Sequence, residues 1–220
     1  MKGLDMNRAS EIVSRLELVT SDEPVMRRER DPEQARMEHR RERLRMVGGR
    51  IPSRYSGLDF EKAAARAPAI ASVNLESLTR SLVVCGATGA GKTTLACAVM
   101  RSIIGRAWDG CAEHWRASKA AWFWVAADLG RELCKAAPWE ECRAGELALS
   151  ASWLCIDDLG TEQGDRAISE ISRIISARYN DEQLTVITTA MPWPQIARRY
   201  GEGIARRMLE SEVIELGGAS

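Results

Sequence analysis

Short apolar runs alternate with amphipathic stretches from about residue 70 to the end of the chain. That pattern predicts a parallel sheet covered by helices on both faces. Strands are expected at 81–85, 121–126, 152–156, 184–188 and 212–215. Helices are expected at 91–104, 128–136 and 166–180, with shorter ones over 194–200 and 204–210. Leu95, Val99 and Ile103 make one apolar stripe at helical spacing, and Ile168, Ile171 and Ile175 make another. No internal repeat is visible.

The first 57 residues read differently. Ser10 is placed to cap a short helix with Ile12, Leu16 and Val19 on one face, which Ser21-Asp22-Glu23-Pro24 interrupts. Asp31-Pro32-Glu33-Gln34 writes a second helix start, and Gly48-Gly49 stops that helix. Between Met26 and Arg54 ten arginines stand against five acids, a local excess of five. The whole chain balances 31 basic against 31 acidic residues, which excludes a strongly basic, histone-like DNA binder. The local excess suits either a solvated helix with paired charges or a contact with a partner or a phosphate backbone.

Composition adds further exclusions. The longest stretch without a formal charge, 183–197, contains two prolines and falls short of the ~20 apolar residues a membrane span needs. The opening MKGLDMNRASEIV lacks the apolar core of a secretory signal, so a soluble cytoplasmic protein with no membrane partner is expected. Cys85, Cys97, Cys111, Cys134, Cys142 and Cys155 form no C-x-x-C and read as free thiols in a reducing compartment. Cys111 and His114 offer two metal ligands, but the second pair that a zinc site needs is missing. Of the seven tryptophans, Trp122, Trp124 and Trp153 fall in strands and read as core, while Trp108 and Trp115 flank a polar stretch.

The strongest chemical signal follows the strand Leu82-Val83-Val84-Cys85. Gly86-Ala87-Thr88-Gly89-Ala90-Gly91-Lys92-Thr93 satisfies G-x-x-x-x-G-K-[ST] and opens an amphipathic helix. Glycines let the turn wrap tightly, so backbone N–H groups and the helix N-terminus face phosphates. Lys92 is expected on the β- and γ-phosphates, Thr93 on a magnesium ion, and Thr94 with the phosphate-binding set. ATP and Mg2+ are therefore the expected ligands. A second signal is Trp153-Leu154-Cys155-Ile156-Asp157-Asp158, an apolar strand ending in two acids at the edge where open α/β sheets bind ligands. Asp157 is the candidate for holding magnesium, and Asp158 for positioning or deprotonating a water.

Two weaker signals follow. Leu184-Thr185-Val186-Ile187-Thr188-Thr189-Ala190 is a strand whose end offers Thr188 or Thr189 to a γ-phosphate or an attacking water, or simply reflects the β propensity of threonine. Arg206 and Arg207 are adjacent on a helix and so point in different directions. One of them is able to reach a phosphate held by a neighbouring subunit, or both belong to an exposed basic face.

In this order the strings resemble the AAA+ helicase-loader and transposition-helper family, the DnaC/IstB group, over about residues 49–218. Gly49-Arg50-Ile51-Pro52-Ser53-Arg54-Tyr55 is similar to the stretch that precedes the ATPase core there. Asp157-Asp158-Leu159-Gly160-Thr161-Glu162 resembles the family's D-D-[LI]-G-x-[ED]. Ala177-Arg178-Tyr179 and the later Ile187-Thr188-Thr189-Ala190 resemble its R-Y and threonine-rich strings. Gly201-Glu202-Gly203-Ile204-Ala205-Arg206-Arg207-Met208-Leu209 resembles the segment that carries the finger arginine, which maps to Arg207. Ala190 stands where the family has a γ-phosphate-sensing asparagine, with Thr189 beside it as a partial substitute, and Gly203 stands where it has a first arginine.

The resemblance implies an α/β P-loop NTPase (AAA+) core over 58–220, a short helical, Arg-rich partner-binding segment over 1–57, and no full helical lid domain. It implies an ATPase stimulated by DNA or a partner, acting as a DnaC-like loader of a replicative helicase onto single-stranded DNA. The alternative is an IstB-like transposase helper acting on duplex DNA in target selection. Asp158, Arg207 and Thr189 are the expected catalytic residues. An arginine supplied in trans implies an ATP-dependent homo-oligomer. A small-metabolite kinase and a nucleotide-gated adaptor that hydrolyses little are the competing classes.

Overall fold

The computed structural model describes residues 51–55, 57–58, 60–66, 70–71, 81–110, 121–137 and 142–217, with the side chains of 103–110 left out of that description. All of these belong to the second of two units into which the chain divides, Met37–Ser220. The two N-terminal helices expected from Ser10 and Asp31, and the Cys111–His114 pair, lie outside the described residues.

Five strands form one parallel sheet: β1 (Leu82–Gly86), β2 (Ala121–Val125), β3 (Trp153–Leu159), β4 (Leu184–Thr189) and β5 (Glu212–Leu216). Their order across the sheet is β2-β3-β4-β1-β5. β1 is an inner strand, paired with β4 from Leu82↔Val186 to Cys85↔Thr189 and with β5 from Leu82↔Glu212 to Gly86↔Leu216. Parallel neighbours need crossovers, and helices supply them. α1 (Phe60–Arg66) precedes the sheet; α2 (Lys92–Gly110), α3 (Ala126–Lys135), α4 (Arg143–Ser150), α5 (Asp165–Asn180), α6 (Trp193–Tyr200) and α7 (Glu202–Leu209) follow in order.

Alternation along the strands divides the core between two faces. Leu82, Val84, Cys155 and Val186 pack with Leu95, Ala96 and Val99 of α2. Ile51, Tyr55 and Leu58 close that layer from outside, with Arg101 Nε donating to the Leu58 carbonyl at 2.6 Å. Ile51 and Tyr55 are thus buried in the same cluster as α2. On the opposite face Val83, Leu154, Ile156 and Ile187 meet Leu129 and Leu133 of α3, Ile171 and Ile174 of α5, and Ile196, Ile204 and Met208 of α6 and α7. Trp122 and Trp124 project from the edge strand β2 as a stacked pair, centroids 6.1 Å apart, and are half-buried rather than core.

The strands and helices expected beyond residue 80 all form, with informative differences at their ends. β3 runs through Leu159 instead of stopping at Ile156, because its pairing with β4 shifts between Ile156 and Leu159 and lets the strand carry two extra acids. α4 was not expected, since Arg143-Ala144-Gly145-Glu146-Leu147-Ala148 has only a weak apolar stripe. It is held by Arg178, which is 1% exposed near the end of α5. That guanidinium donates to the carbonyls of Ala148, Ala151 and Leu184 at 2.9, 2.8 and 2.7 Å, and to Thr185 Oγ1 at 2.9 Å. Burial draws its pKa down to about 10, so the group stays charged at neutral pH. One cation thus ties α5, the α4–β3 turn and the start of β4 together.

Arg178→Met leaves those carbonyls buried without donors and should cost at least about 3 kcal/mol. Chemical denaturation checks the loss, and Arg178→Lys should recover only part of it because an ammonium lacks the planar fork.

Candidate functional site

The loop between β1 and α2 is held open by its glycines. Gly86, Gly89 and Gly91 have φ of 139°, 85° and 94°, a region that side-chain-bearing residues rarely adopt. Gly86 is required twice over: a Cβ there would stand 2.2 Å from the Leu216 carbonyl of β5. Ala87, Thr88 and Gly89 form an exposed crest, with Ala90 N–H closing back on the Ala87 carbonyl at 3.2 Å. Lys92, 6% exposed, lies under that crest and donates to the Ala87 carbonyl at 2.8 Å. Among the described residues no carboxylate pairs with it. A buried ammonium satisfied by one carbonyl leaves donors for an anion, and the N-terminus of α2 supplies further N–H groups.

Behind the loop, three elements meet at one carboxylate. Asp157 of β3 is 4% exposed. Thr93 of α2 donates to its Oδ1 and Oδ2 at 3.0 and 3.1 Å, and Thr188 of β4 donates to Oδ1 at 2.7 Å. Burial pushes the Asp157 pKa up, and the two hydroxyls and Lys92 pull against it. A hydroxyl and a carboxylate beside an anion cradle are hard oxygen donors of the kind Mg2+ takes, with waters and phosphate oxygens as its remaining ligands. The residues present therefore fit that cation, held by Thr93 and Asp157.

Asp158 is the next residue and sits at φ 54°, left-handed inside a strand. Aspartate tolerates this conformation better than most residues. The twist aims its backbone N–H at Thr188 Oγ1, 2.9 Å away, and breaks the regular register with β4. Thr188 therefore serves both acids, as donor to the Asp157 carboxylate and acceptor from the Asp158 amide. The Asp158 carboxylate is half-exposed and has no hydrogen-bond partner among the described residues, which leaves it free to hold a water.

Thr189 is not brought into this cluster. It points to the other face of β4, fully buried, and donates to the Leu159 carbonyl at 2.8 Å while accepting from the Met191 amide at 3.0 Å. Its hydroxyl thus holds the turn after β3, and of the two threonines it is Thr188 whose hydroxyl meets the acids. Thr94 is half-exposed at the start of α2.

Arg207 lies elsewhere. It shares a small cavity with Ser81, Thr185 and Tyr179, at the edge where the strands begin, whereas the phosphate loop follows the end of β1. The step from Ser81 to Ala87 along a strand is roughly 20 Å, beyond any side chain's reach. Arg207 cannot touch a phosphate held by its own chain.

Glu162 was quoted only as part of a motif, yet it is a second buried acid. Its Oε2 accepts from the Gly160 N–H at 3.0 Å and its Oε1 from Arg199 Nε at 3.0 Å, and the Tyr200 hydroxyl also donates to it. Burial and that acid push the Tyr200 pKa up. This network fastens the turn after the two acids to α6. Nothing local in Gly160-Thr161-Glu162-Gln163 separates it from an exposed acid, because its side-chain partners are 37 and 38 residues away. Two core thiols are held in their neutral form: burial, then Asp157, pushes Cys97 up to about 12, and Cys155 is raised well above the ordinary range by the same causes.

An inner strand feeding a glycine loop and helix, with two acids ending the strand beyond β4, defines a P-loop NTPase of the AAA+ kind. The chain belongs to the IstB-like ATP binding protein family, which it matches over residues 6–210. It is similar to the crystal structure of the DnaC helicase loader, at 25% identity and a TM-score of 0.50, over 66% of this chain and 82% of that one. It shares its fold with DnaI, at 21% identity and 0.50, over 81% and 92%. AMPPCP-bound DnaA from Aquifex aeolicus has the same fold at 18% identity and 0.50, over 64% of this chain and 42% of that one. No curated protein matches the chain in sequence. Among the described residues no helix is long and apolar enough to cross a membrane.

Thr188→Val removes the hydroxyl at nearly constant volume. It should lower ATP turnover about tenfold or more while nucleotide affinity without magnesium changes little. Because that hydroxyl pulls the Asp157 pKa down, its loss raises the pKa further, and the acid side of the magnesium-dependence profile moves to higher pH. Thr188→Ser should restore both, and steady-state kinetics across pH read the two effects together.

Proposed function

We propose that this chain is an ATP-hydrolysing accessory factor of DNA replication that loads a replicative helicase onto single-stranded DNA. The observation that carries the reading is membership of an ATP-binding AAA+ family together with likeness, at 25% identity, to the DnaC helicase loader. Lys92 binds the β- and γ-phosphates, with the amides of residues 86–91 and the start of α2, including Thr94, around them. Thr93 and Asp157 hold Mg2+, which neutralises charge on the phosphates when bound. Asp158 orients and polarises the attacking water. Arg207 completes the site of the next protomer, a reading supported by its distance from the phosphate loop of its own chain. ATP then favours a homo-oligomer, in the cytoplasm, with helicase and single-stranded DNA as partners.

A second reading has its own support. The family that matches is described as IstB-like, and a transposase helper that assembles on duplex DNA uses the same site. Partner capture separates the two. Asp158→Asn should bind ATP and stall, so the immobilised full-length variant with ATP should retain a replicative helicase from native lysate, and Lys92→Ala should retain none. Recovery of a transposase instead moves the function to target selection. Phosphate transfer to a small acceptor by the isolated protein would overturn both readings.

A further inference from the structure

Arg207 is seated in an unusual way for a cation. Its guanidinium carbon lies 5.4 Å from the centroid of the Tyr179 ring, on the last turn of α5. Its Nη1 donates to the Gly203 carbonyl at 3.2 Å, and its buried Nε has no acceptor. A Cβ on residue 203 would stand 3.2 Å from that Nη1, so the guanidinium lies close against the start of α7. Among the described residues no carboxylate pairs with Arg207. The nearby acid, Glu210, is engaged by its neighbours instead: it accepts from the Tyr179 hydroxyl and lies 3.8 Å from Arg206.

The two adjacent arginines are thus sorted. Arg206 is 70% exposed and paired with an acid, while Arg207 rests on an aromatic face. A ring holds a cation through its quadrupole and uses none of the guanidinium N–H groups, whereas a carboxylate would neutralise the charge and occupy the fork that recognises phosphate. Glu210 fixes the ring by its hydroxyl and draws Arg206 away from the same place.

Building on the proposed trans role of Arg207, we infer that Tyr179 is a positioning residue that holds the Arg207 guanidinium charged and unneutralised for a neighbouring protomer's nucleotide, with Glu210 anchoring the ring. Tyr179 is 40% exposed and belongs to neither core cluster, so packing alone does not account for an aromatic residue there.

The test uses the full-length protein with ATP and an oligo-dT strand, reading single-turnover hydrolysis with protein in excess and ATP-dependent assembly by sedimentation. Arg207→Ala, the control for the underlying reading, should lose turnover by a factor on the order of 10³. Tyr179→Leu should lower the rate about fivefold with apparent ATP affinity unchanged, and Tyr179→Phe should recover most of that loss because the ring remains. Glu210→Ala, which alters no core residue, should fall between them. In mixtures with Asp158→Asn protomers, whose own sites are disabled but whose Arg207 is well seated, Tyr179→Leu should regain normal turnover per intact site. A merely structural defect would not be restored in this way, and failure of the mixture to restore activity overturns the inference. Normal turnover by Tyr179→Leu alongside an inactive Arg207→Ala overturns the inference and leaves the trans finger standing. Normal turnover by Arg207→Ala removes both.

Discussion

The site depends on one buried carboxylate. A charge inside a parallel sheet is tolerated only if it is hydrogen-bonded or neutralised. Asp157 meets that condition by accepting from Thr93 on α2 and Thr188 on β4. The phosphate-loop helix, the acid-bearing strand and its neighbour are consequently fixed relative to one another at a single pair of oxygens. The same threonine accepts the Asp158 amide, which holds that residue in its left-handed twist and leaves its carboxylate unengaged. Two adjacent acids with opposite circumstances follow from one hydroxyl: the first is buried and bound, the second half-exposed and free. The division of labour proposed for them, one holding a cation and the other orienting a water, needs that difference.

The second constraint is the length of the strand that feeds the glycine loop. β1 separates the edge that carries the glycine loop from the edge where Tyr179, Glu210 and Arg207 gather. A chain arranged this way carries the phosphate-binding part of a site at one edge and an uncommitted cation at the other. The proposed trans role of Arg207 requires chains to meet edge to edge, so that each cation faces a neighbour's nucleotide. The Glu162–Arg199–Tyr200 network joins the turn after the acids to α6, which leads directly into α7 and Arg207, so the two edges are also connected through packed helices.

Much of this was legible in the sequence. Local patterns located every strand and five of the helices, since apolar runs and helical stripes depend on neighbours in the chain. The glycine loop, Lys92, Thr93 and the acid pair were legible for the same reason, their chemistry being written in contiguous residues. What sequence missed is held by long-range contacts. The choice between Thr188 and Thr189 is a matter of which face of β4 each occupies, and the register shift at Asp157 and Asp158 decides which one meets the acids. The burial of Arg178 depends on carbonyls up to 30 residues away, and that of Glu162 on side chains 37 and 38 residues away, so both look like surface charges in a linear reading. The seat of Arg207 could not be read at all, because Tyr179 meets it only through the packing of α5 against α7.

The most direct measurement of the central claim is equilibrium binding of ATP to the full-length protein, with magnesium and with EDTA, for the native chain and for Asp157→Asn. The account predicts that magnesium strengthens ATP binding to the native protein about tenfold or more, and that the variant binds ATP with the same affinity in both conditions. A variant that keeps the full magnesium increment would contradict it, because the cation would then be held without the carboxylate around which the site is built.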